Sequence, residues 1–170
     1  MTIEDPVMRQ RYEFRQFEDE DGGEVLEIDL HVDPGGGVTP HVHPTMEERF
    51  RVVSGQAQFL AGRRWQDAGP GAEVVIPPGT RHAFRNRGGQ TAHIVSQSRP
   101  PESLQAFLTD VAELSRQGRI MRPGLPKGVR GLIETAALAK RHRPMCVLLM
   151  PPPLLQRLLM DPLARFSRAG

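Results

Sequence analysis

Cysteine is almost absent from this chain, since Cys146 is the only one among 170 residues. No internal disulfide can form, so the fold must rely on a buried core, and this cysteine usage is typical of a reducing compartment. Long apolar runs are also missing. The longest run without proline, Met145 to Met150, is far shorter than the roughly 20 residues that span a bilayer. We therefore expect no transmembrane helix.

A secretory leader is not visible in the sequence either. Residues 1–6, MTIEDP, are acidic and polar and have neither the basic start nor the apolar stretch of a signal peptide. Together with the single cysteine, this predicts a soluble, cytoplasmic protein.

Charge is distributed unevenly along the chain. Residues 1–118 contain 12 basic and 18 acidic side chains, whereas residues 119–170 contain 10 basic and 2 acidic ones. The simplest interpretation is that the basic tail packs on its own acidic body or on a second copy, and we expect a homodimer. We expect no nucleic-acid partner, and contact of the tail with an anionic membrane surface is a less favoured alternative.

Residues 1–99 have the pattern of β-strands. In Glu24–Val32, apolar side chains alternate with polar ones at period two. Further short strands, separated by glycine-containing turns, are predicted at 11–17, 38–43, 48–53, 56–60, 63–67, 73–76, 82–86 and 91–98. Many short strands with glycine turns are typical of a sandwich or barrel. The sequence thus predicts an all-β domain over residues 1–99.

The pattern becomes helical after residue 99. Apolar side chains recur at helical spacing in 103–117 and 129–141, and a third helix is predicted after the prolines at 151–153. Residues 121–128 are rich in proline and glycine and are predicted to form a loop. We therefore assign residues 100–170 to a C-terminal α-helical extension.

Three histidines and a glutamate form a candidate metal site. His41 and His43 are two residues apart on a predicted strand, so both leave the same face. A turn at 44–47 would return the chain and bring Glu48 opposite them, and His82 lies on a later strand with similar alternation. Imidazole suits Fe, Cu, Ni and Zn, and carboxylate extends the range to Mn. We predict one divalent transition-metal ion (Fe, Mn, Ni, Cu or Zn) with open positions for water or substrate.

The residues around these ligands resemble the two signature motifs of the cupin superfamily. The motifs are Gly35-x5-His41-x-His43-x4-Glu48-x6-Gly55 and Gly71-x5-Pro77-x-Gly79-x2-His82-x3-Asn86. The resemblance covers roughly residues 25–98 and does not extend to 100–170. It implies a jelly-roll barrel, or double-stranded β-helix, that is often dimeric. It also makes the four side chains the metal ligands, and the gap to Gly55 selects Glu48 rather than Glu47.

The inward positions of the predicted strands describe a mostly apolar substrate pocket for a small molecule. Its predicted lining residues are Phe50, Val52, Gln58, Ile76 and Phe84. Ligating histidines need an acceptor for their second ring N–H, and either Gln58 or a backbone carbonyl would serve. His31 and His93 lie outside the motifs and are interpreted as a solvated and a structural histidine.

Two classes of function fit this pattern. The intact ligand set favours a metal-dependent dioxygenase or lyase acting on a small organic molecule, with Glu48 as a catalytic proton acceptor. The alternative is a non-catalytic module that binds or senses a small ligand. A third hypothesis treats the ion as purely structural. A fold of this kind hosts many unrelated activities, so the substrate stays open.

Overall fold

The computed structural model describes residues 2–148 and 153–167. Within residues 2–99 it contains ten strands. They are β1 (Ile3–Asp5), β2 (Gln10–Glu18), β3 (Glu24–Val32), β4 (His41–Val42), β5 (Glu47–Ser54), β6 (Ala57–Ala61), β7 (Arg64–Ala68), β8 (Glu73–Ile76), β9 (His82–Arg85) and β10 (Ala92–Arg99).

The predicted strands are confirmed with two differences. Strand β1 is absent from the prediction because three residues are too few to show a period. The predicted strand 38–43 shrinks to His41–Val42, since Pro40 and Pro44 on either side have no backbone N–H to donate to a ladder.

The strands form two antiparallel sheets that pack face to face. One sheet has the order β1-β2-β3-β10-β5-β8. The other contains β4, β9, β6 and β7 in that order, and a short C-terminal strand extends it beyond β4. Strand β3 illustrates the packing, because Leu26, Ile28, Leu30 and Val32 are all buried between the sheets. This is the alternation that the sequence predicts.

An aromatic cluster joins the two sheets. Phe50 on β5 lies 5.2 Å from Phe59 on β6 and 6.0 Å from Phe84 on β9, measured between ring centroids. These tilted contacts fall in the range that aromatic pairs prefer. They fix the separation of the sheets next to the predicted metal ligands.

The predicted jelly-roll fold is confirmed, but its sheets do not close into a barrel. Over the described residues, backbone pairing does not run continuously from one sheet into the other. The chain instead crosses between the sheets at turns, as from β5 to β6 at Gly55. That residue has a φ of 76°, and a Cβ there would lie 2.7 Å from the carbonyl oxygen of Thr91. The crossing therefore requires glycine.

The three predicted C-terminal helices are confirmed. They are α1 (Leu104–Arg116), α2 (Gly128–His142) and α3 (Pro153–Leu163), and a 3-10 turn at Ala164–Phe166 follows. Helix α1 packs on β1, and its Leu104 and Ala112 belong to the buried core. The division into two domains at residue 99 stays a prediction. None of the described helices has the length and apolarity needed to span a lipid bilayer.

The segment predicted as a loop at 121–128 contains regular structure. Strands β11 (Ile120–Met121) and β12 (Leu125–Pro126) pair as a hairpin, so the loop prediction is wrong here. Pro123 and Gly124 make a turn tight enough for the flanking residues to pair. Strand β13 (Val147–Leu148) then pairs with β4. Residues 149–152, including part of the apolar run and two prolines before the third helix, lie outside the described residues.

The packing of helix α2 can be tested at Gly131, where a Cβ would lie 2.1 Å from the carbonyl oxygen of Arg119. Replacing glycine by alanine inside a helix normally stabilises by up to about 1 kcal/mol. Here we expect Gly131→Ala to destabilise by about 1–3 kcal/mol, because the helix must move off the preceding segment. Thermal unfolding followed by circular dichroism measures the change. Gly89→Ala, where a Cβ meets nothing within 4 Å, is the control, and equal melting temperatures would contradict this packing.

Candidate metal centre

The four predicted ligands converge from both sheets. His41 lies on β4 directly opposite His82 on β9, and His43 follows β4 by one residue. Glu48 reaches them from β5 in the facing sheet. The cluster therefore lies between the two sheets, with His43, Glu48 and His82 buried and His41 partly exposed, and its ligand atoms all lie within 4.8 Å of one another.

The distances within the cluster suit a single ion. Oε2 of Glu48 lies 2.7 Å from Nε2 of His82 and 3.6 Å from Nε2 of His43. Two donors about 2.1 Å from one cation and at right angles to each other would be roughly 3 Å apart. The side chains are thus close to ligating positions without a change in the backbone.

Backbone carbonyls fix the orientation of the imidazoles. Nδ1 of His41 lies 2.8 Å from the carbonyl oxygen of Thr39, and Nδ1 of His82 lies 2.9 Å from that of Thr80. A carbonyl oxygen only accepts hydrogen bonds, so each Nδ1 must carry the proton. The Nε2 lone pairs then face the centre of the cluster, which is the tautomer that metal ligation needs.

The acceptor for His43 comes from the C-terminal region. Its Nδ1 donates to the carbonyl oxygen of Met145 at 2.8 Å, inside the protein. Two residues further on, β13 pairs with β4, and Leu148 lies opposite His41. We call Met145–Leu148 the C-terminal strap. The strap supplies the acceptor for His43 and a strand that pairs with β4, which carries His41. The centre is therefore incomplete without the C-terminal extension.

Burial and mutual charge set the protonation of the cluster. Burial, together with the neighbouring imidazoles of His82 and His43, lowers the pKa of His41 to about 3. Burial would raise the pKa of Glu48, but the ring of His82, whose Nε2 lies 2.7 Å from Oε2, and the neighbouring His43 and His41 outweigh it and lower that pKa. Burial likewise opposes the charge of His82, and Glu48 outweighs it, so the pKa of His82 is raised. Glu48 is therefore an ionised, buried carboxylate.

A divalent cation would satisfy the buried polar atoms that these residues leave without a partner. Nε2 of His82 is buried and makes no hydrogen bond, although Oε2 of Glu48 is near. When the ring of His82 is neutral, its proton lies on Nδ1 and the lone pair of Nε2 faces a lone pair of the carboxylate, and a cation between them would remove the repulsion. Three imidazoles and one carboxylate are borderline ligands that suit Fe, Mn, Ni, Cu or Zn. The residues thus fit a transition-metal ion.

A cavity of about 210 Å³ adjoins the cluster. Its walls are mostly apolar and come from both sheets, from helices α1 and α2 and from the C-terminal strap. All four predicted ligands line it, and so do Phe50 and Phe84. Val52 and Ile76 are buried in the core and do not line this cavity. Gln58 is turned away, because its side chain bonds Asp67 and Arg85 instead.

Sequence reasoning misses the helical side of the cavity. Phe107, Leu108 and Leu138 line it from α1 and α2. Their helical periodicity indicates a buried face but does not say what that face covers. Three buried polar side chains on the walls have a donor or hydroxyl without a hydrogen-bond partner: Gln10, Ser96 and Thr135.

Comparison with known proteins agrees with this geometry. Residues 29–97, which include all four clustered side chains, match the family described as the cupin domain. Residues 29–97 therefore form a cupin domain. Asn86 of its second motif is buried and bonds the backbone of Val32, Gly88 and Gln90. These bonds give that residue a structural role.

Two solved structures resemble this chain over about three fifths of its length. KdgF from Halomonas sp. has a TM-score of 0.52 and 17% identity, covering 61% of this chain and 89% of that one. An RmlC-like cupin from Shewanella frigidimarina has a TM-score of 0.52 and 16% identity, with coverages of 61% and 86%. At such identities the likeness shows the fold alone. No curated protein matches this cupin.

Metal binding should stabilise the protein against heat. At a metal concentration about 100 times the Kd, binding adds roughly 2.7 kcal/mol, and for a chain of this size each kcal/mol raises Tm by about 2–4 °C. We expect the best of Mn²⁺, Ni²⁺ and Zn²⁺ to raise the Tm of chelator-treated protein by about 5–10 °C. His82→Ala should lose most of this shift because one ligand is gone.

The matched control for that measurement is His142→Gln. His142 is also buried and lines the cavity, but it bonds Asp110 and lies outside the cluster. This variant should keep the metal-induced shift even if its starting Tm is lower. A full shift in His82→Ala, or its loss in both variants, would contradict the assignment of ligands.

The thiol of Cys146 in the C-terminal strap should be unreactive in the folded protein. Burial, with a contribution from the charge of Glu48, raises its pKa to about 12. At pH 8 almost no thiolate is present, and only the thiolate reacts with iodoacetamide. Mass spectrometry should find Cys146 unlabelled in native protein and labelled within minutes in denaturant. Fast labelling of native protein would show that the strap leaves its place readily.

Proposed function

We propose that this cupin is a metal-dependent enzyme of the dioxygenase or lyase type that acts on a small, largely apolar organic molecule. One observation carries the proposal: three pre-oriented imidazoles and an ionised carboxylate meet at the wall of an apolar cavity. A purely structural ion needs no cavity beside it, so this arrangement favours chemistry on a bound molecule.

The bound ion would polarise a substrate oxygen and so supply Lewis-acid chemistry at the cavity wall. Glu48 has the role of proton acceptor, because it is ionised, buried and within reach of the same space. The three histidines hold the centre rigidly, since the Nδ1 of each is bonded to a backbone carbonyl. The apolar walls exclude water from the proton-transfer step.

The cavity also limits the substrate. Its volume is below the roughly 300–1,000 Å³ of sites for drug-sized ligands, so the molecule must be small. Most lining side chains are apolar, and Gln10, Ser96 and Thr135 have unpaired polar atoms on these walls. A compact molecule with an oxygen-bearing end for the ion and at least one further polar group would satisfy these atoms.

The second candidate is a module that binds the same kind of molecule without turnover. The other lining groups that could transfer protons already have partners. The hydroxyl of Tyr12 donates to the carbonyl oxygen of Leu108, and the ring of His142 lies between Asp110 and Ser103. Catalysis would then depend on Glu48 alone, whereas binding without turnover needs no proton acceptor.

The dimer and the cytoplasmic location remain predictions from the sequence.

Activity can be tested with oxygen-uptake assays of metal-loaded protein against small diols and small thiols, with product analysis to detect lyase chemistry. We expect turnover by the native protein and a loss of about 10²–10⁴-fold in kcat for Glu48→Gln, which removes the proton acceptor. Metal content is measured in each sample, so a loss of the ion is distinguished from a loss of the base.

Glu47→Gln is the matched control, because Glu47 is adjacent in sequence but its carboxylate pairs with Arg49 instead. That variant should keep full activity. A molecule that binds but is neither oxidised nor cleaved would favour the second candidate. Full turnover by metal-loaded Glu48→Gln would remove Glu48 from the proposed chemistry.

A further inference from the structure

A second group of metal-ligating side chains lies on the outer face of the six-stranded sheet. His31 on β3 and His93 on β10 are directly opposite each other across the strand pair. Their rings are stacked, with centroids 4.4 Å apart and planes 8° from parallel. Asp29, two residues before His31 on the same strand, completes the group. The ligand atoms of all three lie within 4.8 Å of one another.

Both imidazoles point a nitrogen at the same carboxylate oxygen. Nε2 of His93 lies 3.0 Å from Oδ1 of Asp29, and Nδ1 of His31 lies 3.5 Å from that atom. Side-chain exposures of 26% for His93, 33% for His31 and 51% for Asp29 leave the group open to ions from solution. Two nitrogens and an oxygen are thus brought together by the pairing of two strands, and not by a loop.

We propose that Asp29, His31 and His93 form a second divalent transition-metal site, separate from the inner centre and open to water. The two imidazoles and the carboxylate would be its protein ligands, and water would fill the other positions. Imidazole nitrogen with carboxylate oxygen suits Cu²⁺, Ni²⁺ and Zn²⁺, with Cu²⁺ bound most tightly.

Pre-organisation is the physical reason to expect useful affinity. After one imidazole binds the ion, the second is held beside it by strand pairing, so its ligation is effectively intramolecular. Burial and the charge of His93 lower the pKa of His31, which favours the neutral form that binds metal.

The surrounding charges partly offset each other. Arg11 on β2 lies opposite His31 and repels a cation, whereas Glu13 on the same strand lies opposite Asp29 and attracts one. The result is a site defined by its ligand geometry, and not a broadly acidic surface that would gather cations without selectivity.

The test counts ions with isothermal titration calorimetry, using chelator-treated full-length protein and Zn²⁺. Native protein should bind two ions per chain, and the double variant His31→Asn/His93→Asn should bind one. In His82→Ala, which disables the inner centre, the outer ion should remain. Binding at the two sites is therefore tested independently. A protein that binds no ion at the inner centre can still confirm the outer site.

A matched pair of variants distinguishes ligation by Asp29 from general attraction of the cation by negative charge. Asp29→Asn should weaken the binding of the outer ion at least about tenfold, as expected when a metal site loses a supporting group. Glu13→Gln removes the same charge from the neighbouring strand and should change affinity little. Equal weakening by both variants would mean diffuse attraction and would overturn the site.

A measurement on unmodified protein guards against misfolded variants. Cu²⁺ at low stoichiometry should broaden backbone amide signals around residues 29, 31 and 93 in nuclear magnetic resonance spectra, in addition to any broadening near residues 41–48. Broadening confined to the inner centre, or a second ion kept by the double histidine variant, would overturn the proposal.

Discussion

The placement of three imidazoles and a carboxylate between two sheets, most of them buried, is the constraint on which the rest of this structure depends. Polar and ionised groups removed from water are costly unless each one finds a partner. Here the outer ring nitrogens bond backbone carbonyls, and the inner ones face Glu48 and each other. One buried ring nitrogen, Nε2 of His82, remains without a hydrogen bond. A cation completes that arrangement better than any neighbouring side chain does.

Because the ligands belong to different sheets, the centre also depends on how the sheets pack. Phe50, Phe59 and Phe84 interlock across the interface, and two of them line the cavity beside the ligands. The C-terminal strap adds a third constraint, since it binds His43 through the Met145 carbonyl and pairs with β4. The extension is therefore part of the centre and part of the cavity wall, whether or not it forms a domain of its own.

The two histidine groups of this cupin show how burial changes the chemistry of the same side chains. Around His41, burial and neighbouring imidazoles suppress protonation strongly, and the cluster adjoins a mostly apolar cavity. His31 and His93 are stacked on an open face and share one carboxylate with water around it. The first environment suits chemistry on a bound molecule, whereas the second suits reversible exchange of an ion with the medium.

The sequence by itself determined the strands, the inward face and the ligand set. Period-two alternation in Glu24–Val32 and the spacing of His41, His43, Glu48 and His82 are local properties, and strand geometry converts them directly into shared faces. What only the tertiary structure decided is which distant segments meet. No local pattern tells that the Met145 carbonyl bonds His43, that α1 and α2 wall the cavity, or that His93 stacks on His31. Such contacts follow from sheet order and helix docking, which depend on the packing of the whole chain.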